Sequence, residues 1–188
     1  MSVYDLLYSA IDSVLTQKQR AVMAIDGRCA AGKTTLAHRL AVKYAAAVVH
    51  MDDFFLPAEL RNPERFLEPG GNVHYERFLS EVAPRIKDGV PFKYRAFDCG
   101  RMDYGDWVYV PDARLIIIEG AYSLRPDFLD LYDIKVFMDI KPEEQRRRIL
   151  ARNGEAAYAN FAERWIPLEE KYIKESGITN IRDIMIIQ

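Results

Sequence analysis

Residues 21–35 read Ala21-Val22-Met23-Ala24-Ile25-Asp26-Gly27-Arg28-Cys29-Ala30-Ala31-Gly32-Lys33-Thr34-Thr35, and this stretch decides the fold. A short apolar run, long enough for one buried strand, is broken by Asp26-Gly27. Helical spacing follows over 33–44, with Leu36, Leu40 and Tyr44 on one side. Between strand and helix lies the pattern G-x-x-x-x-G-K-[ST]. Its glycines let main-chain N–H groups wrap an anion, and the following helix points its positive end at the same place. Gly27, Arg28, Cys29, Ala30, Ala31, Gly32, Lys33, Thr34 and Thr35 would then surround the phosphates of a nucleoside triphosphate. Lys33 would reach the outer phosphates, and the Thr34 hydroxyl is a candidate magnesium ligand.

Short apolar runs alternate with helical spacing along the rest of the chain. Strands are expected over 46–51, 115–118, 134–140 and 184–187, and helices over 3–19, 75–87, 142–152 and 161–174. In the first helix Val3, Leu6, Leu7, Ile11, Val14 and Leu15 share a face. Asn153-Gly154 should stop the 142–152 helix, and Pro167 should break or kink the last one. Prolines 57, 63 and 69 with Gly70-Gly71 mark 56–74 as loop, and alternating aromatics over 92–110 predict a β-hairpin. The pattern implies a three-layer α/β domain of the P-loop NTPase type, with a parallel sheet of about five strands covered on both faces. Residues 1–188 read as one such domain, with 52–113 as an insertion for the acceptor and 142–160 as a lid.

Composition bounds the function. With 49% hydrophobic and 29% charged residues the chain has an ordinary globular make-up. A net charge of −2 argues against nucleic-acid binding through the overall field. Two cysteines, Cys29 and Cys99, lack metal-ligand spacing and form no disulfide framework. No stretch is long enough to span a bilayer and no leader pattern opens the chain, so a cytoplasmic enzyme is expected. The oligomeric state is open; a homo-oligomer is compatible with the sequence but not predicted by it.

Ligands of open α/β sheets sit at the carboxyl ends of the strands, where Asp26, Asp52, Glu119 and Asp139 fall. A GTPase needs a base-reading Asn-Lys-x-Asp, and Asn180-Ile181-Arg182-Asp183 lacks the lysine. A small kinase fits best. Glu119 closes a buried apolar run, where an unpaired charge is costly. Its partner is either magnesium or a cation such as Lys33. Arg146, Arg147, Arg148 and Arg152 lie on one helix, with Arg148 and Arg152 on a common face. Some would close over a triphosphate, and others would pair with Glu143 and Glu144 as a solvated face. His38, His50 and His74 show no ligand spacing and read as structural or surface residues.

These pieces, in order, resemble the uridine kinase and nicotinamide riboside kinase group of P-loop kinases. The resemblance rests on Gly32-Lys33-Thr34-Thr35, on Met51-Asp52-Asp53-Phe54-Phe55, on Ile117-Ile118-Glu119-Gly120, and on residues 133–139 with the arginine-rich helix after them. It implies ATP and Mg2+ as cofactors, a small-molecule acceptor, Asp52 as general base, and Thr34 with Glu119 at the metal. Lys33, Arg148 and Arg152 would act on the transferred phosphate. Where the group often carries an aspartate after the last lid arginine, this chain has Asn153. Where uridine kinases carry Tyr-Asp-x-x-x-His, it reads Tyr94-Arg95-Ala96-Phe97-Asp98-Cys99, which weakens uridine or cytidine as acceptor.

Asp53, Phe55, Tyr94, Phe97 and Arg101 are the acceptor-binding candidates. Tyr94, Phe97 and Trp107 would stack on a flat ring or simply pack the hairpin, and Arg61, Arg65 and Arg101 would suit an anionic acceptor. The expectation is an ATP-dependent kinase acting on a hydroxyl of a nucleoside or nucleoside-like molecule. Two alternatives are a kinase of a non-nucleoside alcohol, such as a sugar acid or a pantothenate-like compound, and a nucleotide-binding regulatory protein with no small acceptor.

Overall fold

The structure is a computed structural model that describes residues 2–188. Its centre is a parallel sheet built from β1 (Ala21–Gly27), β2 (Ala47–His50), β5 (Leu115–Glu119), β6 (Ile134–Asp139) and β7 (Ile184–Ile187), in the order β2-β5-β1-β6-β7. Every residue of β1 and of β5 is buried, as continuous apolar runs covered on both faces should be. Alternate residues feed two cores. Met23, Ile25, Ile117 and Val136 meet helices α1 (Val3–Gln17) and α2 (Lys33–Tyr44) on one side. Val22, Ala24, Ile116, Ile118 and Phe137 meet Phe54, Phe78 and Tyr172 on the other. This is the three-layer α/β fold of the P-loop NTPases.

The hairpin forms as β3 (Phe92–Asp98) and β4 (Asp103–Val110), an antiparallel pair separate from the main sheet, with its register shifted between Arg95 and Phe97. Several boundaries differ from the sequence reading. Leu6 is 45% exposed, and α1 is anchored by the fully buried Leu7 and Ile11 instead. The 56–74 segment holds a short helix, α3 (Pro63–Leu67), started by Asn62, whose side chain accepts from the Arg65 N–H at 2.8 Å. The helix expected over 75–87 is two, α4 (Tyr75–Glu81) and α5 (Ala83–Asp88), because Pro84 lacks the N–H that would continue the ladder.

Asn153-Gly154 interrupts the lid helix where expected: within α6 (Pro142–Asn160) Gly154 takes the non-helical angles φ 80° and ψ 172°, so two helical stretches meet there at a kink. A π-helical turn, Phe161–Trp165, follows directly. Pro167 then sits in the first turn of α7 (Ile166–Glu175), where its missing N–H costs nothing. A four-residue helix, α8 (Ile178–Ile181), leads into β7. No described helix is long and apolar enough to cross a membrane.

Candidate active site

β1 ends where β6 crowds it. A Cβ on Gly27 would lie 2.0 Å from the Met138 carbonyl oxygen, so only glycine lets the chain turn away there. The loop then passes through Ala30, in the left-handed region at φ 61°, and reaches α2. Lys33 folds back on this loop, its Nζ donating to the carbonyls of Gly27 (2.7 Å) and Arg28 (3.0 Å). The Arg28 side chain turns outward to Asp139 and Glu170, which raise its pKa. Only the Arg28 backbone therefore belongs to the anion cradle.

The carboxylates at the strand ends divide into different tasks. Asp26 is sealed in the core and takes four donors: the N–H groups of Gly27, Tyr122 and Leu124, and the Tyr172 hydroxyl at 2.6 Å. It fastens β1 to the segment after β5. Glu119 is 4% exposed and accepts from the Thr34 hydroxyl at 3.2 Å. Its Oε1 also meets His50 Nδ1 at 2.5 Å, and this contact raises the imidazole pKa. His50 thus belongs to the site, although nothing in its spacing marks it. Thr34 and Glu119 present hard oxygen donors side by side beneath the phosphate loop. That donor set suits a magnesium ion whose other positions are filled by water and phosphate.

Beyond β2 the chain turns through a single 3-10 turn, Met51–Phe54, whose buried Met51 and Phe54 leave Asp52 pointing into a cleft. Asp52 is open to that cleft, yet protein surrounds it closely enough for desolvation to raise its pKa; Lys33 pulls the other way. Asp53 points elsewhere, accepting from the Tyr94 hydroxyl at 2.7 Å.

The cleft is one continuous cavity of about 670 Å³. At its phosphate end lie Gly32, Lys33, Thr34, Thr35, Arg148 and Arg152. Arg148 donates to the Ala30 carbonyl at 3.1 Å and pairs with Glu144. Arg152 reaches the Cys29 sulfur at 3.9 Å. Arg147 is solvated and pairs with Glu144, and Arg146 lies over the Tyr158 ring, so the arginine helix has both a site face and a solvent face.

The same cavity is also lined by the aromatic side chains of Phe55, Phe66, Tyr122, Phe161 and Trp165 and by Asn72, Arg61 and Glu169. Of the hairpin candidates, Tyr94 is 1% exposed within the core and Phe97 packs edge-on against Tyr104 at 5.9 Å. Arg101 pairs with Asp98 in the hairpin turn, and Trp107 is 65% exposed on its outer face. None of these four lines the cavity. Phe55 does; Asp53 does not. Phe161 and Trp165, four residues apart in the π turn, both line the cavity. No sequence signal announces such a turn.

Glu169 was equally invisible. It is 7% exposed, its Oε2 accepts from the Cys29 N–H at 2.9 Å, and burial pushes its carboxyl up to about 7.

A phosphate loop on the central strand, a strand-end aspartate facing it across a cleft and an arginine-bearing helix beside it are the parts of the P-loop kinase fold. No family model and no curated sequence matches the chain. Solved structures do match its fold. One is a possible uridine kinase from Bacillus stearothermophilus: TM-score 0.68, 21% identity, 96% of this chain and 98% of that one aligned. Another, provisionally assigned as a fructose transport system kinase from Silicibacter sp. TM1040, aligns over 100% of this chain and 99% of its own, with TM-score 0.71 and 22% identity. YFH7 from Saccharomyces cerevisiae, provisionally assigned as a circularly permuted P-loop kinase, aligns with TM-score 0.65 and 12% identity, over 100% and 99% of the two chains. What the chain shares with them is the three-layer P-loop fold.

Proposed function

We propose that this protein transfers the γ-phosphoryl group of ATP to a hydroxyl of a nucleoside or nucleoside-like small molecule. The observation that carries the reading is that one cavity is lined together by Lys33, Arg148 and Arg152, by Asp52 and by five aromatic side chains. An aromatic wall of that kind suits a flat ring better than a compact polar acid.

Phosphoryl transfer passes through a loose transition state, so positioning and charge neutralisation carry most of the catalysis. The phosphate-loop N–H groups and Lys33 hold the triphosphate, and Lys33 must exchange its carbonyl partners for phosphate oxygens to do so. Arg148 and Arg152 supply cationic forks beside the transferred group. A magnesium ion held by Thr34 and Glu119 would neutralise charge on the outer phosphates. Asp52 orients the attacking hydroxyl and takes its proton as the new P–O bond forms. Burial helps, because a carboxylate raised in pKa accepts that proton more readily.

The insertion 52–113 contributes Phe55 and Phe66 to the acceptor wall, Tyr122 follows β5, and Phe161 and Trp165 come from the π turn beyond the lid region. The test is ADP release from ATP across nucleosides, vitamin ribosides, sugars and sugar acids. A riboside that stimulates release supports the reading. Stimulation by a sugar acid alone moves the acceptor to another class, and ATP binding with no stimulation by any compound supports a regulatory nucleotide binder instead.

A further inference from the structure

Arg61 brings an uncommitted guanidinium edge to the cavity. Its Nε donates to the Leu56 carbonyl at 2.7 Å, which fixes the plane of the group. Leu56 in turn donates its N–H to the Asn72 carbonyl at 3.2 Å, and Phe55 bridges to Val73 beside it. Asp52, Phe55, Arg61 and Asn72 all line the cavity, and one hydrogen-bonded patch of the insertion carries them. The Arg61 side chain also lies beside the Cys99 thiol, a further cavity residue. Burial pushes that thiol up, Arg61 pulls it back, and the charge of Asp52 reaches it as well. Arg61 shares the corner of the cavity that holds Asp52, away from the arginines of α6.

Charge pairing singles this arginine out. Within the insertion Arg65 pairs with Glu76, Arg77 with Glu81 and Arg101 with Asp98. Arg61 has no carboxylate within ion-pair distance among the described residues, and its two terminal nitrogens donate to no carbonyl. A guanidinium held at Nε still presents those two nitrogens as a fork, the geometry that takes both oxygens of a carboxylate.

Resting on the kinase reading above, we infer that Arg61 is a specificity-determining residue that receives a carboxylate carried on the ring of the acceptor, so that ring-acid ribosides are taken over the matching carboxamides. A carboxylate conjugated to a ring lies in the plane of that ring. One flat ligand then meets the guanidinium and the aromatic side chains of the same cavity together. Because the fork is already held by Leu56, little side-chain freedom is lost when the acid binds.

The test is calorimetric binding to the full chain, saturated with magnesium and a non-hydrolysable ATP analogue, of two matched pairs. These are 5-carboxyuridine against 5-carbamoyluridine, and 5-aminoimidazole-4-carboxylate riboside against its 4-carboxamide. Wild type should bind the acid of at least one pair about tenfold or more tightly than the amide, the scale of one charge-assisted hydrogen bond. Arg61→Gln should bring that ratio below about threefold while binding the ATP analogue within about twofold of wild type. Arg61→Lys keeps the charge and loses the fork, so it should keep a reduced preference for the acid, which guards against a variant that merely fails to fold. Equal binding of acid and amide by wild type, preference for the amide, or no binding of either acid overturns the inference. So does a ratio unchanged in Arg61→Gln. Loss of the ATP analogue in step with the acid also overturns it, because Arg61 would then serve the triphosphate. ADP release from ATP separates the two readings. An Arg61-dependent acid preference without ADP release ends the kinase reading and leaves this inference standing, and release driven by the amides alone does the reverse.

Discussion

The two ends of the cavity are built in opposite ways. The phosphate end comes mostly from one unbroken stretch, the turn between β1 and α2, with Glu119 and the α6 arginines added. The aromatic wall proposed for the acceptor is assembled from Phe55 and Phe66 in the insertion, Tyr122 after β5, and Phe161 and Trp165 in the π turn. Holding a phosphate needs main-chain N–H groups in a row, which a short local motif supplies. Enclosing a variable small molecule needs walls on several sides, and only tertiary structure brings those together. Changes at the phosphate end should therefore act on ATP and catalysis together, whereas changes at the acceptor end should alter acceptor recognition and leave ATP binding in place.

The largest effect is expected at Lys33. Lys33→Ala should lower turnover by about 10³-fold, the scale found for losing a preorganised charge-stabilising donor, and should weaken ATP binding measured by fluorescence titration. Near-normal ATP-dependent turnover would break the comparison at its stronger end.

Glu169 gives the next effect, read in stability. Its folded carboxyl at about 7 lies above the ordinary 4.5, so the folded state holds a proton that the unfolded chain has released between those two pH values. Wild type therefore loses stability as pH rises through that window. The loss approaches on the order of 3 kcal/mol, and Glu169→Gln should not show it. The difference in Tm between variant and wild type should grow from pH 5 to pH 8; a constant difference would contradict the raised carboxyl.

Trp165→Ala should raise the acceptor KM about tenfold, consistent with about 1.5 kcal/mol for an aromatic contact, while the KM for ATP stays within about twofold. An equal effect on both substrates would mean that the π turn supports the phosphate loop instead of the acceptor. The smallest effect is expected at Tyr94. Tyr94→Phe removes one hydrogen bond to Asp53 and should cost about 1 kcal/mol of stability, with acceptor KM unchanged. A clear rise in that KM would return the hairpin to the acceptor site.

The same contrast explains what could be read from the chain alone. The strand–loop–helix unit, the parallel sheet, Asp52, Thr34 and Glu119 all lie in contiguous motifs, where local chemistry and spacing carry the information. The hairpin was legible from its alternation, but Tyr94 and Phe97 face the core, Tyr94 against Phe54, while Trp107 and Tyr109 face solvent. Glu169 lies 140 residues from the Cys29 N–H it meets, and no periodicity links the two. His50 read as a bystander because its partner Glu119 is on the neighbouring strand, paired in register only once the sheet forms. Gly154 interrupts the lid helix as its sequence position suggests, whereas the second helical stretch that resumes after it up to Asn160 carries no local signal.

The central claim is that the two ends meet at a hydroxyl facing Asp52. Transfer of γ-labelled phosphate from ATP to a riboside acceptor, in wild type and Asp52→Asn side by side, tests it most directly. Label should appear on the acceptor with wild type and fall by about 10²–10⁴-fold in the variant, with ATP affinity nearly unchanged. Transfer by Asp52→Asn at the wild-type rate would contradict the account.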